Sequence, residues 1–488
     1  MNKMKLILIG IVTLLLSVAN ALNAQNAVDT AKGENTHQYD ISFVRSLPYD
    51  MNIYYSHIPM YQVNHLPSYN LLALLQGKAR NEGSQAVSHF HLETTINGNV
   101  YQSETVTTIL RPNNVSSIMI VPTSLNGKLN YGENYIKMEV VLENDIDQDT
   151  TNNYEEGIMI ATDGLYALDY LNEDSSLDMG YGTQTESTFG NVYAIANDAN
   201  QALTAFYLAF TEDAVVGTPF QLIVYEYYFS YGFLKPEPIM TYDLVITPEM
   251  VGNFVKIPVP ALANFLSKIN TYGMIYCAVN QLNDEPINIA VDGHERGIIY
   301  KRVYNSNNNR YVLQNVTGYG SAALRIDFGQ APATVGEPPV DLLASDVRKT
   351  TARLSWNSDY ACEVQVNNQE PVLVLGKNYI DLSGLQGETT YSWRVRTVVS
   401  DDLIGEWVEG EPFTPSLHDG PYLSVSADSL AFAVDPSFAI DTLSLDVQNV
   451  GLDTLTVSFS CNDLPEWLNF GDVQFNTDYE IVEDQILT

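Results

Sequence analysis

Three groups of residues have the types and spacing to do chemistry. The stretch Val224–Phe233, VYEYYFSYGF, sets six aromatic rings within ten residues. At the strand period of two, Ile223, Tyr225, Tyr227, Phe229 and Tyr231 share one face, and Leu222, Val224, Glu226, Tyr228 and Ser230 the other. Aromatic faces with polar tips suit sugar rings, whose C–H faces stack while their hydroxyls hydrogen-bond. The competing reading places Ile223, Tyr225 and Tyr227 in a sandwich core. Gly232 and Pro236 end the strand, which puts Tyr231 and Phe233 in a loop. Tyr231 and Phe233, with Tyr228 beside them, are therefore the candidate ligand-binding residues.

The second group is acidic. Asp145, Asp147, Asp149 and Glu156 occupy positions 1, 3, 5 and 12 of the EF-hand spacing, but Thr150 stands where the sharp turn wants glycine. Strand-like flanks, Tyr135–Leu142 and Gly157–Ile160, leave no helix–loop–helix. Two readings stay open: a solvated turn built on Asn152 and Asn153, or a structural calcium held by the four carboxylates. No other cofactor is expected. The third group is histidine. His89 and His91, two apart on a strand, face the same way as metal ligands do, but no third ligand is specified nearby. An exposed or half-buried pair is the reading, and His294, in the turn Asp292–Arg296, stands alone.

Catalysis finds no motif: GxSxG, HExxH and a Cys–His signature are all missing. Among 59 acidic residues, a carboxylate pair at glycosidase spacing arises by chance, so none is assigned. The chain reads as a non-enzyme.

These groups must be positioned by strands. From about residue 41 onward, Tyr, Val, Ile, Thr and Phe alternate with polar residues and are broken by Asn, Gly, Asp and Pro. Long helical periodicity is missing, and Leu71–Leu75 is apolar in either register. The fold class is all-β. At 488 residues the chain is too long for one core, and a string of β-sandwich domains is predicted. Pro-rich linkers at Gln330–Pro339 and Pro412–Pro421 mark boundaries, and another is set at Asp163–Gly164. The domains are then 41–163, 164–330, 338–415 and 421–488.

A net charge of −36, from 23 basic and 59 acidic residues, repels phosphate backbones and anionic lipid, so nucleic acid is excluded as a partner. Residues 1–24 read as an export signal: Lys3 and Lys5, the apolar run Leu6–Leu16, then Ala19, Ala21 and Ala24. The protein is accordingly expected to be secreted or at the cell surface. No later segment reaches about 18 uninterrupted apolar residues, and no membrane insertion is expected. Cys277, Cys362 and Cys461, one in each of three predicted domains, read as buried apolar side chains and not as a disulfide framework.

Each segment resembles a known module. Segment 41–163 carries Asn81-Glu-Gly83, Ala86–Leu92, Ile96-Asn-Gly98 and the acidic Asn144–Asn153, and so resembles a CARDB-type Ig-like adhesion module. Segment 164–330, with Phe220–Glu226, Tyr242–Ile246, Phe254–Val259 and Tyr276–Val279, is similar to jelly-roll domains of secreted Bacteroidetes-type proteins. That resemblance implies carbohydrate binding by analogy. Segment 338–415 resembles a fibronectin type III domain: Trp356 closes its second strand, and Leu385, Tyr391 and Val395 fall in register. The resemblance implies a tyrosine corner, with the Tyr391 hydroxyl bonded back to the chain. Segment 421–488, with Leu423–Phe432, Leu443–Gly451 and Leu464–Leu468, resembles a BACON-like Ig module that stops short at Thr488. Asp29, Asp149, Asp428, Asp441 and Asp453, each before Ser or Thr and then Ala, Thr or Leu, match a Bacteroidetes-type O-glycosylation pattern, or ordinary turns.

The functional expectation is a non-catalytic adhesion or binding protein, with segment 164–330 taking polysaccharide or glycoprotein. The alternatives are part of an extracellular degrading enzyme, or a structural stalk. Oligomeric state is left open.

Overall fold

The structure is a computed structural model and describes residues 37–45, 56–65, 75–123, 125–172, 175–195, 200–228, 231–261, 274–294, 297–427, 429, 443–460, 478–481 and 486–487. The export signal, Leu71 to Leu74, Phe229, Ser230, Cys461 and Leu464–Leu468 lie outside the described residues. The chain is a string of β-sandwiches. It divides into two compact units, Met1–Thr334 with Val399–Asp402, and Val335–Val398 with Leu403–Thr488. Among the described residues the single α-helix is short, and no helix is long and apolar enough to cross a membrane.

The first unit begins with a two-sheet layer. Its elements are β1 (Ile41–Val44), β2 (His57–Pro59), α1 (Met60–His65), β3 (Leu75–Asn81), β4 (Phe90–Ile96), β5 (Asn99–Gln102), β6 (Met119–Val121), β7 (Gly132–Leu142) and β8 (Tyr154–Thr162). One sheet runs β1-β3-β6 and the other β2-β8-β7-β4-β5. The period of two is plain in β7, where Asn134, Ile136, Met138 and Val140 are buried and the residues between them are more exposed.

The same unit continues through β9 (Leu165–Tyr166), β10 (Gly180–Tyr181), β11 (Ser187–Ala194), β12 (Gln201–Leu208), β13 (Pro219–Tyr228), β14 (Phe233–Leu234), β15 (Met240–Val245), β16 (Val255–Pro258), β17 (Met274–Gln281), β18 (Ile289–Ala290), β19 (Ile299–Asn305), β20 (Arg310–Val316) and β21 (Leu324–Gln330). A four-stranded sheet, β16-β12-β21-β9, faces a seven-stranded one, β14-β20-β19-β11-β17-β13-β15. The side chains of Asn191 and Tyr193 on β11 donate to the Leu324 carbonyl on β21, tying the two layers. Gly190 lets β11 lie close to β17, because a Cβ there would stand 2.2 Å from the Cys277 carbonyl oxygen. The two-residue strand β14 pairs with both β13 and β20, so six strands of the larger sheet close into a ring.

In the second unit, β22 (Val340–Ser345), β23 (Thr351–Asn357), β24 (Cys362–Val366), β25 (Val372–Val374), β26 (Tyr379–Ser383), β27 (Trp393–Thr397) and β28 (Val408–Glu409) form sheets β22-β23-β26 and β25-β24-β27-β28. Leu354, Trp356, Val364, Trp393, Val395 and Phe413 fill the space between them. The Tyr391 hydroxyl accepts from the Gln386 N–H at 2.9 Å, the back-bond expected of a tyrosine corner. Beyond it, β29 (Leu423–Val425), β30 (Val447–Asn449), β31 (Leu455–Ser458), β32 (Asp478–Ile481) and β33 (Ile486–Leu487) form sheets β29-β30-β33 and β31-β32. Cys277 and Cys362 are buried free thiols.

Candidate functional site

The aromatic stretch divides differently from either expectation. The face of β13 that enters the sandwich core carries Phe220, Leu222 and Val224, each fully buried, with Glu226 beyond them held by Lys235 at 3.3 Å. The opposite face, with Ile223, Tyr225 and Tyr227, turns into the ring. Directly paired residues share a face, which can be followed from strand to strand: Tyr225 with Tyr276, Tyr276 with Val192, Tyr304 with Tyr311, Tyr311 with Leu234, Leu234 with Tyr227. Ile223 and Tyr225 are each only 5% exposed, so they are interior, but to the ring and not between the sheets.

Arg302 enters this ring from β19. Its guanidinium lies 3.4 Å from the centre of the Tyr311 ring and 4.6 Å from that of Tyr225. Tyr276, stacked on Tyr225 at 6.4 Å, donates its hydroxyl to the Tyr300 carbonyl at 2.8 Å. Burial raises the hydroxyl pKa of both tyrosines, and Arg302 opposes it. At this end β13 and β19 finish and β14 and β20 begin, so the mouth is rimmed by Tyr231 and Gly232 and by the residue 306–309 turn. Tyr231 is 65% exposed on one turn and Tyr304 51% exposed at the other.

The three ligand candidates meet at this end, with Tyr228 and Phe233 on the outer face of the ring because their strand neighbours Tyr227 and Leu234 face inward. Tyr228 stacks on Phe233 with centroids 5.0 Å apart, and Tyr231 tilts against Phe233 at 6.0 Å. Phe233 is not in a loop, however. Gly232, at φ +67°, donates to the Tyr228 carbonyl at 2.8 Å and turns the chain back, so Phe233 opens β14 directly opposite Tyr228. Arg310 lies over the other side of this cluster, 4.2 Å from the Phe233 ring. Arg302, Tyr304, Arg310 and Tyr311 were not singled out from the sequence. Their signal was the alternation in Tyr300–Tyr304 and the Asn-rich turn Asn305–Asn309 between them.

The four acidic candidates do not assemble. Asp147 accepts from the backbone of Ile41 and Asp149 and from the Asn153 side chain at 3.0–3.1 Å, pinning the loop to β1. Asp149 caps the following turn through the Thr151 N–H at 3.1 Å. Glu156 reaches across to β7 and accepts from the Tyr135 hydroxyl, and Asp145 stays half-exposed. The strand pairing separates Glu156 from the loop, which a linear EF-hand count cannot register. Among the described residues, the ligating atoms that lie within 4.8 Å of one another belong to His37, Asp40 and Asp149. His89 and His91 also part: His89, at φ +60°, precedes β4, while His91 bonds Glu143 at 2.9 Å. His294 stacks on Tyr170 at 4.7 Å.

Where the two sandwiches of the first unit join, Ser56 Oγ lies 3.0 Å from His57 Nδ1, with Asp169 nearby. This has the composition of a hydrolase triad but not its wiring, because the Asp169 carboxylate is taken by Arg325 and the Ser56 hydroxyl reaches backbone carbonyls. Burial, then Arg325, lowers the His57 pKa below 6.5, while Asp169 raises it less. The folded protein therefore binds a proton at His57 less readily than the unfolded chain does. Stability should fall as pH drops from about 7.5 towards 5.5, and His57→Gln should flatten that slope in urea midpoints compared across this range.

No protein-family model and no curated protein matches this chain. Among solved structures it is similar to the FN1–FN3 domains of chicken CNTN1, at 9% identity over 70% of this chain and 95% of that one, with a TM-score of 0.15. It is also similar to domains A168–A170 from titin, at 11% identity over 70% of this chain and 93% of that one, again with a TM-score of 0.15.

Proposed function

We propose that this chain is a non-catalytic binding protein whose ligand is a saccharide taken at the mouth of the β13–β20 ring. The observation that carries the reading is the aromatic cluster at this end of the ring, exposed Tyr231 with half-buried Phe233 and Tyr228. Flat rings at fixed angles on a closed strand frame give stacking surface with little ordering cost on binding. The remaining sandwiches act as spacers. With the export signal over residues 1–24, the protein works outside the cell or on its surface, as a CARDB-like, jelly-roll, fibronectin type III and BACON-like string of Bacteroidetes type would.

The test is affinity electrophoresis of the full chain against neutral and acidic polysaccharides, beside a Tyr231→Ala/Phe233→Ala variant. Expected is retention of the native protein and a loss of affinity of about tenfold or more in the variant at an unchanged melting temperature. Equal retention of both proteins would overturn the assignment to the mouth.

A further inference from the structure

We infer that His37, Asp40 and Asp149 form a site for zinc or a like divalent metal, which fastens the entry of β1 to the acidic loop before β8. Among the described residues, these three offer ligand atoms that all lie within 4.8 Å of one another. They come from two segments far apart in the chain, and the backbone around them is tied together. The Gln148 side chain accepts from the N–H groups of Gln38 and Tyr39, and Asp147 accepts from the Ile41 N–H at 3.1 Å. Strand entry and loop thus form one frame, and the three candidate ligands stand on it.

The donor set decides the class of ion. Calcium and magnesium take oxygen, whereas an imidazole with two carboxylates suits zinc and its first-row neighbours. His37 Nδ1 lies 3.2 Å from Asp40 Oδ2, and two ligands on one tetrahedral zinc stand about 3.3 Å apart. Both Thr151 bonds to Asp149 go to Oδ1, which leaves Oδ2 for an ion. A His37–Asp40 ion pair would account for that one contact, but not for the surplus of acceptors around it. Asp40 is 6% exposed, and its Oδ1 accepts from the Asn152 side chain at 3.0 Å. A carboxylate only accepts, so the amide end facing Asp40 is the donor and Asn152 Oδ1 is left over. That oxygen is buried without a hydrogen-bond partner. So is Oδ1 of the adjoining Asn153, a residue 4% exposed whose amide nitrogen is spent on Asp147. Two buried acceptors with no donor, beside three carboxylates, are what a cation completes. His37 and Asp149 are partly open to solvent, which gives the ion a way in.

The experiment titrates zinc into the untagged full chain, stripped beforehand with a chelator, by isothermal calorimetry, with calcium and magnesium alongside. Expected is one zinc per chain, bound at least about tenfold more tightly than calcium, and a melting temperature that rises with zinc. His37→Ala should weaken zinc by more than about tenfold, since even a residue behind a ligand costs that much. Asp149→Asn keeps an oxygen to cap Thr151 and loses the charge, and it should also weaken zinc. Hydrogen exchange at residues 39–44 should slow with zinc in the native chain and not in the His37 variant, a response that zinc held elsewhere would not give. No zinc binding, or equal affinity in the native chain and both variants, would overturn the inference. Calcium bound more tightly than zinc and indifferent to His37→Ala would overturn it in favour of an all-oxygen site in the same loop.

Discussion

Asp169→Ala should destabilise the first unit by about 3–5 kcal/mol, the usual result of removing one partner from a buried ion pair. Asp169 is fully buried and Arg325 is 9% exposed. Arg325 Nε donates to both carboxylate oxygens at 3.0 and 3.1 Å, and its Nη2 adds a third bond at 2.5 Å. Its guanidinium also stacks on Phe254 at 3.9 Å and donates to the Leu171 carbonyl. Truncating Asp169 leaves that cation in place with no counter-charge. Replacing both residues together, Asp169→Leu with Arg325→Met, removes the charge as well as the pair and should recover much of the loss. Urea unfolding followed by circular dichroism on the single and double variants decides it. A double variant no more stable than Asp169→Ala would mean that shape at this site, and not charge, sets the penalty. The damage should centre on the junction, because the Asp169 carbonyl accepts from Ser56 and the neighbouring Ala167 exchanges two backbone hydrogen bonds with His57 at 3.0 and 3.3 Å. Hydrogen exchange should therefore rise first at residues 56–59 and 165–171.

Trp393→Ala should cost the second unit a similar amount, about 3–5 kcal/mol, by opening a cavity in a small core. Trp393 is 1% exposed and packs among Leu354, Val364 and Phe413. Its indole N–H donates to the Glu411 carbonyl at 2.9 Å, so truncation also strands a backbone acceptor. Gly410 lies against the ring: a Cβ at that position would stand 2.2 Å from the indole, so the backbone just past β28 is already in contact and cannot collapse much further. Hydrogen-exchange mass spectrometry should show lost protection across β23, β24 and β27. Protection unchanged there would mean that the core closes over the gap.

How much of this was legible follows from particular residues. Strand after strand was readable, because half-buried strands write a period of two, as β7 does through Ile136, Met138 and Val140. Tyr391 was readable because its bond to Gln386 spans only five residues. The site was readable in part. Tyr228, Tyr231 and Phe233 lie within one hairpin, so a local pattern brought them to notice. Arg302 and Tyr311 meet Tyr225 only through ring closure, a pairing between residues far apart in the chain that composition does not encode. The acidic loop failed for the complementary reason. Its spacing matched a linear template, while Asp147 was already engaged by Ile41 on a strand more than a hundred residues earlier.

The two residues of β14 have one more effect, on assembly. An open seven-stranded sheet presents two rows of unpaired backbone groups, and each is a template on which another chain can add. Because β14 pairs on both sides, the Tyr311 end of the β20 row is covered, while β15 and the rest of β20 keep outer edges among the described residues. On the β15 edge, Asp243 sits among Thr241, Tyr242 and Leu244 and places a charge where another strand would add. The pairing that turns the sheet back on itself thereby also limits the ways in which copies of the protein can polymerise.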